Sequence, residues 1–393
     1  MRRAFSRRLD KVSRSPLVAV DGLIQTLSEG PVSKLHQGKT YFEPCARPRP
    51  WLREEFGLGA EDHAPPSGAP MLRRALSSHM SRRWGQDVPV DQVIVTNGAT
   101  HAISSVLHAV LEEGDEVLIL SPQWLFAHGL VRAAGGVARE VPVFLELSDD
   151  PAYDFVSPLQ AAVGPRTRAV YFNNPNNPTG FRLDREQLAR LVAFAEQHDL
   201  WLIADHAYEN YDFSDEGYLD VALLPGAAER TFSVHTFSKT YAMPGLRTGY
   251  LVTPPGLGDL LTKWGLYTLY SVATASQFTA YTALRTSQEE LALRRKKAAE
   301  ARDLTERLLT VPHTTVQGGL YTFLDLSGYG GTPQEFLHAC IAAGVSLAPG
   351  EAFGEHCAGW ARLCFTAVEP AELSTALDKI NSVYASAYSG EAR

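Results

Sequence analysis

Cysteine is scarce in this sequence. Its 393 residues include four, Cys45, Cys340, Cys357 and Cys364. None stands at CxxC spacing, which argues against a disulfide scaffold or a zinc site and predicts a reducing cytoplasm as the compartment. The patterns HExxH, GxGxxG and GxxxxGK[ST] are missing as well. Metal hydrolysis, Rossmann dinucleotide binding and P-loop chemistry therefore lose their main signals, and no metal ligand set is expected. No apolar run reaches the ~18 residues that a membrane span needs. Nor is there an excess of positive charge. The 36 Lys and Arg stand against 44 Asp and Glu, a net charge of −8, which speaks against a broad nucleic-acid footprint. The basic start MRRAFSRRLDKVSRS has no apolar segment behind it, so it reads as a frayed arm rather than a secretory signal.

What is present is the composition of a globular protein, 45% hydrophobic and 20% charged, in a chain long enough for more than one domain. From about residue 90 to 255, β-rich runs alternate with helical stretches. QVIVTN (92–97), EVLILSP (116–122), RAVYFN (168–173), LWLIAD (200–205), FSVHT (232–236) and TGYLV (248–252) predict strands. Several are apolar for four residues running, as parallel strands covered on both faces are. Between the first two, Ala102, Ile103, Val106, Leu107, Val110 and Leu111 form one helical face, and Gly114 follows as a stop. Such alternation predicts an α/β fold with a mainly parallel sheet of the seven-stranded type between layers of helices. After about residue 287 the pattern changes. EELALRRKKAAEARDLTERLL predicts a long charged helix. GGLYTFLDL, a helix around 333–343, the turn APGEAFG, the strand ARLCFTA and the helix PAELSTALDKINSVYAS follow. The expected division is an arm (1–45) that also joins the small domain, a large domain (46–286) and a small α+β domain (287–393).

In open α/β sheets ligands bind beyond the carboxyl ends of the strands, and five such ends carry suggestive residues. Gly98, Ala99 and Thr100 open a helix after QVIVTN. Free N–H groups there suit a phosphate, although small residues also begin helices that hold nothing. Trp124 stands past EVLIL, either as core or as a flat face for a planar ring. NNPNNPTG (173–180) makes a rigid, amide-rich turn. Asp205 closes an apolar strand, which is costly unless it meets a cation or a good donor, and Tyr208 follows three residues on. Thr236 ends the next strand. Lys239 comes shortly after it, and Arg247 lies eight residues beyond that. Together these groups describe pyridoxal 5′-phosphate. Its phosphate would lie against Gly98–Thr100, Thr236 and Arg247, and its ring on Trp124. Its ring nitrogen would meet Asp205, its hydroxyl Asn177 and Tyr208, and its aldehyde Lys239.

The chain here resembles the class I/II aminotransferases, fold type I of the pyridoxal-phosphate enzymes, from about residue 35 to 380. The similarity rests on LHQGKTYF, APPSGAPMLRRAL, TNGATHAI, SPQWLF, NNPNNPTG, ADHAY, TFSKTYAMPGLRTGY, LAPGEAFG and WARLCFT, all in the family's order. The resemblance implies that Lys239 forms the internal aldimine and then carries the proton, and that Asp205 keeps the ring nitrogen protonated. It gives Asn177 and Tyr208 the ring hydroxyl, Trp124 the ring face, and Ala99, Thr100, Thr236 and Arg247 the phosphate. Arg362 would clamp the substrate's α-carboxylate, where a bidentate group serves better than a lysine, with Gly38 bordering the site. It also implies amino acid and 2-oxo acid substrates, a ping-pong reaction, a neutral-range pKa for Lys239, and a homodimer with shared active sites.

Three departures cluster on the substrate side. His63 stands where the family usually has a tyrosine that reaches the neighbouring subunit's phosphate. His206 follows Asp205 where many relatives have a carboxylate or a small residue. The substrate loop reads GKTYF rather than GEPDF, so Lys39 either meets an acidic or second carboxylate group of the substrate or is a solvated loop lysine. Two other readings stay open at this point. One is an enzyme with the same cofactor and another outcome on an amino acid, a lyase, cyclase, racemase or oxidase. The other is a regulator carrying a relic of the fold, which would lack Lys239 or Asp205.

Overall fold

The computed structural model describes Val12 and residues 15–386. Most of the basic start therefore lies outside the described residues. Among the described residues, the first elements are a helix, Pro16–Leu27, and a two-residue strand, β1 (Ser33–Lys34).

Seven strands then build one sheet: β2 (Val93–Thr96), β3 (Glu116–Ser121), β4 (Val137–Pro142), β5 (Thr167–Asn173), β6 (Trp201–Asp205), β7 (Thr231–Thr236) and β8 (Gly249–Val252). Their order is β2-β8-β7-β6-β5-β3-β4. Only β8 runs against its neighbours; the pairs from β7 across to β4 are parallel. This is the expected mainly parallel sheet. Its faces follow the period-two pleat. Leu118, Leu120, Val170, Phe172, Leu202 and Ala204 enter one apolar cluster, while Val117, Ile119, Ala169, Tyr171 and Ile203 enter another. Each fully buried large apolar side chain contributes roughly 1.5–3 kcal/mol. The helix Gly98–Val110 buries Ala102, Ile103, Val106 and Leu107 against β7 and β8, the face its spacing predicts.

Within this sheet, β4 is the strand the sequence did not announce. It lies at the sheet's edge, five of its six residues are exposed or partly exposed, and it carries the charged Arg139 and Glu140. Charge on an edge strand blocks further pairing and also hides the apolar run.

The C-terminal segment starts with the helix Gln288–Leu308, capped by Ser287. It carries a three-stranded antiparallel sheet, β11 (Ala348–Pro349), β12 (Trp360–Cys364) and β9 (Tyr321–Asp325), in that order. The helices Pro333–Ala342 and Pro370–Ser386 complete it. β1 pairs in parallel with β10 (Val345–Ser346), so the chain just before the substrate loop is stitched to this segment. Leu35 packs in the same cluster as Phe336, Leu363 and Leu377.

Candidate active site

The carboxyl ends of β2, β5, β6 and β7 meet β12 and the loop around Gly38 at a cavity of about 290 Å³. Gly38, Ala99, Thr100, Trp124, Asn177, Asp205, Tyr208, Thr236, Lys239, Arg247 and Arg362 all line it, so residues far apart in the chain are brought together at one cavity.

One corner suits an anion. The helix Gly98–Val110 begins there, and Asn97 at its N-cap makes no side-chain bond to the first turn, which leaves N–H groups without a cap. Gly98 itself does not line the cavity. Its φ is +77°, and a Cβ on it would lie 2.6 Å from Arg247 Nη2. Glycine thus lets the guanidinium come up to the helix end. Arg247 is placed by the turn Pro244–Leu246 and has φ +49°; its Nη1 donates to the Pro244 carbonyl at 2.9 Å. Thr236 Oγ1 donates to Ser238 Oγ at 3.0 Å.

Across the cavity, Asp205 closes β6 and is 5% exposed. Its Oδ1 accepts from the Ala207 N–H at 3.0 Å and its Oδ2 from the Tyr171 hydroxyl at 3.2 Å. Burial pushes its carboxyl up to about 6 against these donors. Asn177 Nδ2 donates to the Tyr208 hydroxyl at 3.2 Å, and that hydroxyl lies 2.9 Å from the Tyr321 hydroxyl. Lys239 Nζ donates to the Gly38 carbonyl. Desolvation holds its pKa down to about 8. Arg362 and Arg247 add to that shift, and Cys364 and Asp205 oppose it.

Arg362 is 2% exposed and lies between two rings, with its guanidinium carbon 4.4 Å from the Tyr321 centroid and 4.8 Å from that of Phe353. Nη1 donates to Asn177 Oδ1 at 2.9 Å and Nη2 to the His36 carbonyl at 2.7 Å. Each of these nitrogens carries a second N–H, and Nε has no partner among the described residues. Buried donors left over in this way fit an incoming carboxylate.

A doubly charged phosphate fits the uncapped helix end beside Arg247. A ring cation fits the buried Asp205, and an aldehyde fits a lysine of lowered pKa. Pyridoxal 5′-phosphate suits this donor set. The family model for aminotransferase class I and II matches residues 59–380. The chain belongs to that family. It is 31% identical to the aspartate aminotransferase of Pyrococcus abyssi over 97% of this chain and 98% of that one. It is also 31% identical to aromatic-amino-acid aminotransferase 2 of Thermococcus litoralis, with 97% and 98% covered. A single mutant of the Thermus thermophilus aspartate aminotransferase superposes with a TM-score of 0.87 at 30% identity, over 97% of this chain and 100% of that one. The fold is that of the aspartate aminotransferases, and the protein is a pyridoxal-phosphate-dependent aminotransferase.

The departures separate in space. Lys39 is exposed and does not line the cavity; its carbonyl accepts from Thr366 Oγ1 at 3.0 Å. His63 is exposed, its ring 5.2 Å from that of Tyr270. His206 points away into a buried polar cluster. Its Nδ1 meets the Tyr218 hydroxyl and its Nε2 lies 3.3 Å from Asp220 Oδ1. His235 stacks on it at 5.0 Å and reaches Glu209 at 2.9 Å, which in turn pairs with Arg83 at 3.1 Å.

Sequence reasoning passed over Tyr321, Leu17, Leu125 and Phe126, which also line the cavity. Tyr321 opens β9 directly after GGL and reads as ordinary core, while Leu17 belongs to the helix Pro16–Leu27, which begins just past the basic start.

Proposed function

We propose that the protein moves the amino group of an amino acid to a 2-oxo acid in two half-reactions, with the cavity residues in the following roles. Arg362 takes the substrate's α-carboxylate through its spare N–H groups, and Gly38 borders that position. Ala99, Thr100, Thr236 and Arg247 hold the cofactor's phosphate, with Gly98 giving Arg247 room. Asn177 and Tyr208 hold the ring hydroxyl, Trp124 covers a ring face and Asp205 holds the ring nitrogen. Bound pyridoxal 5′-phosphate supplies a carbonyl that captures the amine and a ring that accepts electrons from Cα. Lys239 would take the proton from the substrate's Cα at its Nζ and give it back. A pKa near neutrality suits a group that must both take and give it.

The observation that carries this reading is the meeting of Lys239, Asp205, Arg247 and Arg362 at one cavity. The test is a panel of amino acids mixed with the holoenzyme, followed by absorbance for conversion of the cofactor to its amine form and by mass spectrometry of the products. One equivalent of the matching 2-oxo acid supports the reading. A racemised, decarboxylated or cyclised product without the amine form overturns it.

The assembly proposed is a homodimer. Support comes from an exposed apolar patch around the helix Gly258–Thr268, with Leu260 at 52%, Tyr267 at 80% and Tyr270 at 50% exposure, and His63 beside it. A fully active monomer in light scattering would count against it. The division proposed remains an arm (1–45), a cofactor domain (46–286) and a small domain (287–393), supported by the separate sheets and by the β1–β10 pairing. Among the described residues no helix is long and apolar enough to cross a membrane. A cytoplasmic location is proposed from the four free cysteines.

A further inference from the structure

β5 passes through the middle of the large sheet with alternate residues on opposite faces. Ala169 and Tyr171 enter the cluster that holds Ile103, Ile119, Ile203 and Val234. Every neighbour in that cluster asks for an apolar side chain, and Tyr171 is 1% exposed. A hydroxyl is costly to bury there without an acceptor. Phenylalanine would fill the same space, so packing does not account for the oxygen. The acceptor it finds is Asp205 Oδ2, at 3.2 Å.

That bond lies at the site's chemical centre. Asp205 Oδ1 is fixed by the Ala207 N–H at 3.0 Å, so both oxygens are held while the carboxylate still lines the cavity. A donor to a carboxylate favours the ionised form, and burial favours the neutral one. The hydroxyl therefore works against the cost of placing a charge in an apolar setting.

We propose that Tyr171 is a positioning residue that keeps Asp205 ionised and aimed at the cofactor's ring nitrogen. This rests on the role given to Asp205 above. Tyr171 touches neither cofactor nor substrate; it acts through the carboxylate, and the cofactor is gripped more firmly as a result.

The test compares cofactor-free wild type, Tyr171→Phe and Asp205→Asn, each titrated with pyridoxal 5′-phosphate and with its carbocyclic analogue, in which CH replaces the ring nitrogen. Wild type is expected to prefer the natural cofactor. Tyr171→Phe is expected to bind that cofactor about tenfold or more weakly, the loss of one hydrogen bond to a charged group, and to bind the analogue as wild type does. A purely structural role would weaken both ligands alike, and either that result or no loss for either overturns the proposal. Asp205→Asn separates the two failures. If it keeps the preference for a ring nitrogen, the role of Asp205 is wrong. If it loses the preference and Tyr171→Phe retains it, only the role of Tyr171 is wrong. Tyr171→Leu serves the same comparison if the phenylalanine variant does not fold.

Discussion

Arg362 of β12 donates through Nη1 to the side-chain oxygen of Asn177 at 2.9 Å, and this contact ties the C-terminal sheet to the loop that follows β5. Asn177 Nδ2 passes the connection to the Tyr208 hydroxyl at 3.2 Å. The group proposed for the substrate's carboxylate and the groups proposed for the cofactor's ring hydroxyl are thus held by one amide.

Arg362→Lys should separate binding from chemistry. Lysine cannot keep the bond to Asn177, the bond to the His36 carbonyl and a two-pronged hold on a carboxylate together. The expected result is a rise of about ten- to a hundredfold in the KM for amino acids, the loss of a hydrogen-bonded charge contact, with kcat reduced less. Steady-state kinetics against several amino acids reads it. An unchanged KM would remove Arg362 from substrate binding.

The cofactor-free site should be strained near pH 7. Asp205 titrates at about 6 in the fold, above its ordinary ~3.9. Its contribution to stability is therefore complete below pH ~4 and is lost as pH rises through 6. Lys239 titrates at about 8, below its ordinary ~10.4. Its contribution is present above that ordinary value and is lost as pH falls through 8. Between the two values both groups are charged and desolvated. Lys239→Met should therefore stabilise the cofactor-free protein at pH 7 by on the order of 1–3 kcal/mol, read as a higher midpoint in urea. The same variant should lose turnover and the visible band of lysine-linked cofactor. A lower midpoint at pH 7 refutes the strain, and residual turnover refutes the role of Lys239.

The buried polar cluster makes a stability prediction. Asp220 Oδ1 accepts from the Ala222 N–H at 3.0 Å and Ser233 Oγ at 3.1 Å and faces His206 at 3.3 Å. Burial pushes its carboxyl up, but His206 and His235 outweigh that and hold it well below the usual range. Asp220→Ala removes the anion that both imidazoles face. A loss of about 3–5 kcal/mol is expected for breaking such a buried pair, measured by urea unfolding of the holoenzyme. A change within about 0.5 kcal/mol, the range of ordinary surface substitutions, would mean that the histidines are held by Glu209 and Tyr218 alone.

Much of this was legible in the sequence where one residue type has one plausible use. Asp205 at the end of an apolar strand breaks a local preference and lines the cavity, and Gly98, the first residue of its helix, gives Arg247 room beside it. Tyr171 and Tyr321 were illegible for the opposite reason. Tyrosine suits a strand as well as any aromatic residue, so nothing in RAVYFN or GGLYTF shows that a hydroxyl reaches Asp205 or Tyr208. β4 was hidden by Arg139 and Glu140, because an edge strand owes its place to pairing rather than to an apolar run. Lys39 read either as a contact for a substrate carboxylate or as a solvated loop lysine; it is exposed, and its carbonyl accepts from Cys364 Sγ and Thr366 Oγ1.

Gly38 offers the sharpest test of how tightly the substrate side is packed. A Cβ at this position would run into the Tyr321 hydroxyl, while the ring carbons behind it lie at 3.3 Å and 3.5 Å, near ordinary contact. The Gly38 carbonyl also holds Lys239. Gly38→Ala must therefore shift the loop or push Tyr321 off Tyr208 and Arg362, and a displacement near 1 Å in a catalytic site lowers turnover by about a hundredfold. Because the hydroxyl is the atom in the way, Gly38→Ala combined with Tyr321→Phe should recover part of that loss. Tyr321→Phe alone should show a smaller defect than Gly38→Ala, since it forfeits one hydrogen bond. The double-mutant cycle in kcat/KM reads the coupling. Additive losses in the double variant would show that alanine harms the site through its own backbone rather than through the tyrosine beneath it.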